Sequence, residues 1–303
     1  MTSHGWCKMT TPFETYWHDR VQFIDVHYHA NPDLYLRRYD SIEIGEIYRD
    51  IGGAVVLKNH LGGVGEIAAL ARERGLPVLG SVVLNDIAGG IRLSTVKQQL
   101  CYHGSNHDRV GRMLVHLPTH VIHAHKSVLR REHRNAHVSE WATRPTRICD
   151  SSGHLSRDVQ ALFDFAQDYP IVISTGHSSR REIEILINFA AGCPNPIRLM
   201  LNQPANPITG MGAQALLDLG HYDWLFVEQT SLTVLLGYQG NDDFYRVLNE
   251  VPNLIYSSDL GQTSQMMPNE WIAWSNQHFD DAGVSDVRRK ESRLLNPLRM
   301  LAP

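Results

Sequence analysis

The amino-acid sequence predicts an α/β fold, namely a single-domain (β/α)8 TIM barrel with a long loop insertion after the fourth strand. Short apolar segments rich in Val, Ile and Leu recur along the chain, as expected of strands buried on both faces, and amphipathic segments separate them. Polar residues able to bind ligands follow most of these segments, at the strand ends where barrel active sites form. A doubly wound open sheet is the main alternative, although it would gather its polar residues at one switch point.

Hydrophobic periodicity places eight strands and six intervening helices. The predicted strands comprise residues 22–27, 53–58, 77–84, 111–117, 170–175, 196–201, 223–229 and 253–258. The predicted helices comprise residues 42–51, 64–74, 156–168, 179–191, 211–219 and 242–250. Gly75, Gly192 and Gly220 follow three of these helices, at the position where glycine commonly ends a helix.

The chain length suits one large domain. The 303 residues fall in the usual range of α/β barrels, so residues 21–303 are predicted to form the barrel after an N-terminal extension of residues 1–20. Residues 118–154 lack a clear helix or strand pattern and are rich in His and Arg. We expect them to form either a lid that recognises an anionic group or a solvated insertion. Residues 281–303 are predicted to form a C-terminal helix for packing or oligomer contact.

Composition and charge argue against several classes of partner. The net charge is −4, so nothing favours nucleic acid or an anionic membrane surface, and no apolar run approaches the ~20 residues of a membrane span. The four cysteines are widely spaced and form no Cys-x-x-Cys pair, which indicates reduced thiols in the cytoplasm. We therefore expect a cytoplasmic enzyme with a small-molecule substrate, and a homo-oligomer is the default assembly.

The strongest chemical signal is the segment FIDVHYH at residues 23–29. Side chains alternate along a strand, so His27 and His29 point to the same side and form half of a site for a divalent transition metal such as zinc or manganese. Two polar residues at an exposed strand end would give the same pattern. Asp259 follows the last predicted strand, which neighbours the first in a closed barrel. It can complete the site and accept a proton from bound water, unless it is a helix cap or turn residue.

Two further residues are candidates for catalysis. His177 follows a strand and a glycine turn, where a histidine is typically a metal ligand or a general base. Lys58 ends the second predicted strand, and burial beside a metal would depress its pKa. It could be a carboxylated lysine that bridges two metals, a charged group that holds an anionic substrate, or part of a structural ion pair.

Four residues are predicted to contact the substrate. His60 should face the same way as Lys58 because it lies two residues further along. The others are His125 in the long loop, Arg180 at the start of the helix that follows His177, and Asn202 after the sixth strand.

These motifs resemble the amidohydrolase superfamily of metal-dependent hydrolases, closest to a poorly characterised branch related to the phosphotriesterase-like barrels. The matching pieces lie within residues 21–262 and read FIDVHYH, VLKNH, TGHS and SD. The resemblance implies one or two divalent ions at the barrel mouth and a metal-bound hydroxide as nucleophile. The expected reaction is cleavage of an amide, cyclic amide, lactone or ester bond.

The chain also departs from the superfamily pattern. Asn202 stands where a second-site histidine is expected, and the fourth strand ends in His116 instead of a bridging lysine. Asn is a poor ligand for a transition metal compared with His, so the number of ions stays open. Two other functions also stay open. One is a mononuclear metal-dependent decarboxylase, and the other is a barrel that binds a ligand without turnover.

Overall fold

Parallel strands form the centre of the fold in the computed structural model, which describes residues 11–104, 107–123 and 127–303. The strands are β1 (Phe23–His29), β2 (Gly53–Lys58), β3 (Val78–Leu79), β4 (Ser81–Val83), β5 (Met113–His116), β6 (Ile171–Ser174), β7 (Arg198–Leu201), β8 (Leu225–Thr230) and β9 (Leu254–Ser257). Strands β1 to β3 form one sheet and β4 to β9 a second, each in sequence order and with parallel pairing. The predicted α/β class is therefore confirmed. The third predicted strand is not continuous, because it divides into β3 and β4 at Gly80.

Helices connect the strands and flank the sheets. They are α1 (Pro12–His18), α2 (Ser41–Asp50), α3 (Gly65–Glu73), α4 (Leu93–His103), α5 (His107–Val110), α6 (Ser139–Ala142), α7 (Arg157–Asp168), α8 (Arg180–Ala191), α9 (Ala213–Asp218), α10 (Ser231–Leu235), α11 (Asn241–Glu250), α12 (Pro268–Asp281), α13 (Asp286–Lys290) and α14 (Asn296–Leu301). A π-helical turn, Glu291–Leu295, joins α13 to α14, so the C-terminal stretch is helical over most of its length. No helix in the described ranges is long and apolar enough to cross a membrane.

Side-chain caps fix the start of helices that carry or flank the site. The Asp40 carboxylate accepts two backbone N–H groups at the start of α2, each at 2.8 Å. Ser179 and Glu182 form a reciprocal capping box at the start of α8, in which the Glu182 carboxylate accepts the Ser179 N–H at 2.8 Å. This cap lies two residues after His177, so it fixes the turn that presents the imidazole.

Alternate strand residues face two different buried layers. One cluster takes a side chain or two from nearly every strand: Ile24, Val26, Ala54, Val56, Leu79, Leu114, Val172, Met200, Phe226 and Ile255. Phe13 and Trp17 of α1 and Leu298 of α14 pack with this cluster, so the predicted N-terminal extension contributes to the core. The intervening strand residues pack against the flanking helices in a larger cluster. Burial on both faces explains why the strands are continuously apolar.

The end of β1 contacts the segment that follows β9. The Asp259 N–H donates to the His27 carbonyl at 2.8 Å, and the His29 N–H donates to the Leu260 carbonyl at 2.9 Å. Tyr28 and Leu260 form an isolated parallel bridge. These contacts place the histidines of β1 beside Asp259.

The long segment of residues 118–154 is mostly irregular where it is described. It contains α6 and one short 3-10 turn, Ala136–Val138. Residues 127–134, which we call the strap, pair with the loop after β1: the Leu36 N–H donates to the Glu132 carbonyl at 3.0 Å, and the Arg134 N–H donates to the Leu34 carbonyl at 2.9 Å. The strap is therefore held beside the strand ends.

Gly176 tests how tightly the turn before His177 is built. Its φ is +57°, and an added Cβ would lie 2.1 Å from the Leu117 carbonyl oxygen, whereas Gly237 has a φ of +70° and open space around it. We expect Gly237→Ala to lower the free energy of unfolding by about 1–2 kcal/mol through backbone strain alone. Gly176→Ala should cost about 2–5 kcal/mol because it adds a steric clash to that strain. Urea unfolding of both variants measures the difference, and equal losses would contradict a role for the Leu117 contact.

Candidate metal centre

His27, His29 and Asp259 converge where β1 meets the end of β9. The Asp259 Oδ1 atom lies 3.0 Å from His27 Nε2 and 3.4 Å from His29 Nε2. One potential ligand atom of each residue lies within 4.8 Å of the other two. All three side chains are almost fully buried, Asp259 being 8% exposed. Three of the five predicted metal ligands therefore come together in a geometry that a divalent ion could occupy.

Glu228 orients the imidazole of His27. Its Oε1 atom lies 2.9 Å from His27 Nδ1. Burial alone would raise the pKa of Glu228, but His27 and Lys58 outweigh this effect and hold the pKa below its usual value. The carboxylate is thus an acceptor, so we assign the proton to Nδ1 and the lone pair to Nε2. Among the described residues the buried His27 Nε2 makes no hydrogen bond of good geometry, although Asp259 Oδ1 lies 3.0 Å away, as expected of two ligand atoms that face the same ion.

The charges around His27 favour a cation. Burial by itself lowers the pKa of His27, but the charges of Asp259 and Glu228 outweigh burial, so the net shift of this pKa is upward. Burial would raise the pKa of Asp259, yet His27 and His29 hold it well below the usual value, so Asp259 is ionised at neutral pH. Two buried carboxylates flank one imidazole, and this excess of negative charge fits a divalent ion.

Lys58 lies on the other side of Glu228 and is 2% exposed. Its Nζ donates to the Asn202 Oδ1 at 2.9 Å, and the Asn202 amide donates in turn to the Glu228 carboxylate. Burial lowers the pKa of Lys58, while Glu228 and Asp259 oppose that shift. Asn202, predicted to contact the substrate, thus links Lys58 to Glu228 and is not among the described residues that line the neighbouring cavity.

In a second group of potential metal ligands, an arginine already occupies the position of the cation. His29, Asp33 and His60 lie close enough to bind one ion. However, Arg37 Nε donates to the Asp33 Oδ2 at 2.7 Å, and Arg37 Nη2 contacts the same oxygen. Burial would raise the pKa of Asp33, but His60 and Arg37 hold it well below the usual value. This group is better described as a buried ion pair that fixes the loop after β1.

A cavity of about 440 Å³ lies above these residues and includes His27, His29 and Asp259 in its wall. His177 and His60 also line it, as does Lys58. Burial, followed by the charge of Lys58, holds the pKa of His177 well below the usual value, so its imidazole is neutral. His177 belongs to neither of the two ligand groups found among the described residues.

The remaining predicted site residues lie elsewhere. Arg180 is exposed in the first turn of α8, pairs with Glu184 at 3.3 Å, and does not line the cavity that the described residues enclose. His125 lies outside the described residues.

Sequence reasoning missed Glu228 and the pair of Asp33 and Arg37. Glu228 did leave a signal, because it is an acidic residue inside the apolar strand LFVEQT. A charge in a strand that is buried on both faces must have a partner.

Glu228→Gln should weaken metal binding about 10- to 100-fold, because an amide can donate to His27 Nδ1 and favour the wrong tautomer. Zn²⁺ affinity, measured by competition with a chromogenic chelator, tests this expectation. Glu184→Gln, a change at an exposed residue of α8, is the matched control. Equal affinities of the two variants would show that Glu228 does not orient a metal ligand.

Asp33→Asn should lower the free energy of unfolding at pH 7 by about 3–5 kcal/mol, because it leaves Arg37 buried without its partner. The folded-state pKa of Asp33 is depressed, so its contribution is present above the unfolded pKa of about 3.9 and is lost as the pH falls through the folded pKa. Urea unfolding from pH 7 downward should show a constant difference from wild type that shrinks below about pH 4. Asp50→Asn, at an exposed pair with Arg49, should change little.

Comparison with protein families identifies one match. Residues 22–228 match a family described as "Family of unknown function (DUF6282)". The matched segment includes His27, His29, Lys58, His177 and Glu228 and ends before Asp259. No curated protein matches the chain. Because the match covers more than half of the 303 residues, the chain belongs to the DUF6282 family.

Proposed function

We propose that this protein is a metal-dependent hydrolase of the amidohydrolase superfamily that cleaves an amide, cyclic amide, lactone or ester bond of a small molecule. The observation that carries the proposal is the buried group of His27, His29 and Asp259 in the wall of a cavity of about 440 Å³. Glu228 supports it by accepting the Nδ1 proton of His27, which leaves the Nε2 lone pair facing Asp259, the other proposed ligand. The cytoplasm is the proposed location, since Cys101, Cys149 and Cys193 are free thiols.

We further propose that the two sheets close into one (β/α)8 barrel. The hydrogen bonds between β1 and the segment after β9 join the first strand to the last. The cluster of alternate strand residues from β1 to β9 is what the interior of such a barrel requires. The metal ligands then lie at the carboxyl ends of the first and last strands, where barrel enzymes carry their active sites.

His27, His29 and Asp259 would hold zinc or manganese. A divalent ion in such a site lowers the pKa of water toward ~7 and polarises a carbonyl oxygen. Asp259 is ionised and accepts a proton at a carboxylate oxygen, then returns it to the leaving group. His177 is neutral in the same cavity and can donate a hydrogen bond to the substrate carbonyl. Lys58, hydrogen-bonded to Asn202, holds Glu228 and thereby His27 in place.

A lyase is the second candidate function. Arg37 competes for one of the two ligand groups, so the geometry favours a single ion per chain. One ion suits a metal-dependent decarboxylase as well as a hydrolase. Release of CO2 without incorporation of oxygen from labelled water would identify the lyase, and incorporation of labelled oxygen would identify the hydrolase.

Metal content per chain is the direct test of the proposal. We expect about one equivalent of zinc or manganese in wild type and in Lys58→Ala, because the Lys58 Nζ donates to Asn202, which in turn donates to Glu228, and a lysine held in this way is not a metal ligand. His29→Ala and Asp259→Ala should lose the metal and fall to background hydrolysis of ester and lactone substrates. His221→Ala, at an exposed histidine, is the control.

Two other results would contradict parts of the proposal. Two equivalents in wild type that fall to one or none in Lys58→Ala would identify a binuclear centre with a carboxylated lysine. The absence of bound metal from wild type purified without chelators would overturn the metal-dependent mechanism altogether.

A further inference from the structure

We infer that the substrate carries a carboxylate or phosphate group and that Arg131 binds this oxyanion in the cavity. The inference rests on the proposed function, because it takes the cavity of about 440 Å³ to be the substrate site. It adds the chemical class of the substrate and the residue that selects it.

Arg131 has no acidic partner in the part of the chain that the structure describes. None of the ion pairs found there includes Arg131, and its buried Nε has no hydrogen-bond partner. A guanidinium has five N–H donors in a planar fork that fits a carboxylate or phosphate. Half-buried and unpaired, it is poised to bind such a group from a ligand.

The other cations of the cavity wall are already engaged. Arg37 forms its ion pair with Asp33, and Lys58 donates to Asn202 beside Glu228. Asp259 belongs to the proposed metal site. The positive charge of Arg131 is therefore left without compensation in the cavity, and a metal ion would add to it. An anionic substrate neutralises this excess, and a cationic one would increase it.

Aromatic contacts connect Arg131 to the metal ligands. Its guanidinium carbon lies 5.2 Å from the centroid of the Tyr35 ring, within the range of a cation–π contact. The Tyr35 ring meets His60 edge-on at 5.5 Å, and His60 stacks on His29 at 4.7 Å. Two aromatic rings thus separate Arg131 from the proposed metal site, and both line the same cavity, so a small molecule there can contact both.

The strap is anchored to the loop after β1 directly after Arg131. The Leu36 N–H donates to the Glu132 carbonyl, and the Arg134 N–H donates to the Leu34 carbonyl. The His133 ring packs edge-on against Tyr35 at 4.9 Å. The backbone next to Arg131 is therefore fixed, and the Tyr35 ring restrains the guanidinium, which reduces the entropy lost on binding.

Two imidazoles and an apolar wall complete the cavity. The Nδ1 atoms of His120 and His133 are buried and have no hydrogen-bond partner among the residues that the structure describes, so each can bond to a polar group of the ligand. Burial lowers the pKa of His120 to about 4, so its imidazole is neutral at pH 7. Val121, Leu129 and Leu232 line the same cavity. This arrangement suits a compact molecule with an oxyanion, an apolar part and a hydrolysable bond.

Isothermal titration calorimetry on the full-length protein, with bound metal and after chelation, tests the inference. The probes are glutarate, inorganic phosphate and neutral glutaramide. We expect at least one of the two anions to bind wild type, and to bind Arg131→Leu roughly tenfold more weakly, in both metal states. Arg130→Leu, at the exposed neighbour in the strap, should bind as wild type does. The anion whose affinity falls in Arg131→Leu identifies the group as carboxylate or phosphate. Neutral glutaramide should bind wild type no better than it binds Arg131→Leu.

Arg131→Gln and melting temperatures separate a loss of binding from a loss of folding. Equal anion binding by wild type and both Arg131 variants would overturn the inference, as would the absence of anion binding to wild type. Metal analysis of the same samples keeps the two proposals apart. Full metal content with binding independent of Arg131 overturns only the anion site. Binding that depends on Arg131 in a protein that never holds metal overturns only the metal-dependent mechanism.

Discussion

A single buried carboxylate, that of Asp25, ties together the two segments that carry the proposed metal ligands. Its Oδ1 accepts the backbone N–H of His27 at 3.1 Å and that of Ser258 at 3.0 Å. Its Oδ2 accepts the hydroxyl of Tyr48 at 2.5 Å. Burial raises the pKa of Asp25 against these hydrogen bonds. A buried carboxylate is costly unless its hydrogen bonds are made, so the cost is offset only when β1 and the end of β9 lie side by side.

Around this contact, some positively charged residues have a fixed partner and one, Arg131, has no acidic partner among the described residues. Arg37 neutralises Asp33, and the chain of Lys58, Asn202 and Glu228 ends at His27 Nδ1. These pairs leave one position for a cation, beside Asp259, and one for an anion, beside Arg131. The proposed catalytic ion lies beside negative charge, and the proposed oxyanion of the substrate lies beside positive charge, in the same cavity. The proposed function therefore rests on buried charges and their partners, whereas the α/β fold with parallel sheets is compatible with many reactions.

The irregular segment after β5 contributes side chains to the cavity because it is fixed beside the strand ends. The strap forms backbone hydrogen bonds to the loop after β1, which also carries the buried Asp33. A loop fixed in this way can present Arg131 and His133 to the cavity without a helix or strand of its own. From its Arg and His content the sequence predicts that this segment is either a lid that recognises an anionic group or a solvated insertion, and that content does not distinguish Arg131 from its exposed neighbour Arg130.

The sequence by itself located most strands and six of the helices, because hydrophobic periodicity and capping residues act over a few neighbouring residues. It missed α4 and α12, and it did not divide the third strand at Gly80. It also marked His27, His29 and Asp259, since strand alternation and strand ends are local features. The tertiary structure decided the partners: Glu228 on His27, Arg37 on Asp33, and none among the described residues for Arg131. It also placed Arg180 on an exposed helix turn and Asn202 between Lys58 and Glu228. The pairing of Glu228 with His27 and that of Lys58 with Asn202 join residues more than a hundred positions apart, and the pairing of Arg37 with Asp33 forms only because the loop after β1 is buried. In a buried space an unpaired charge is costly, so these partners could be identified only from the tertiary structure.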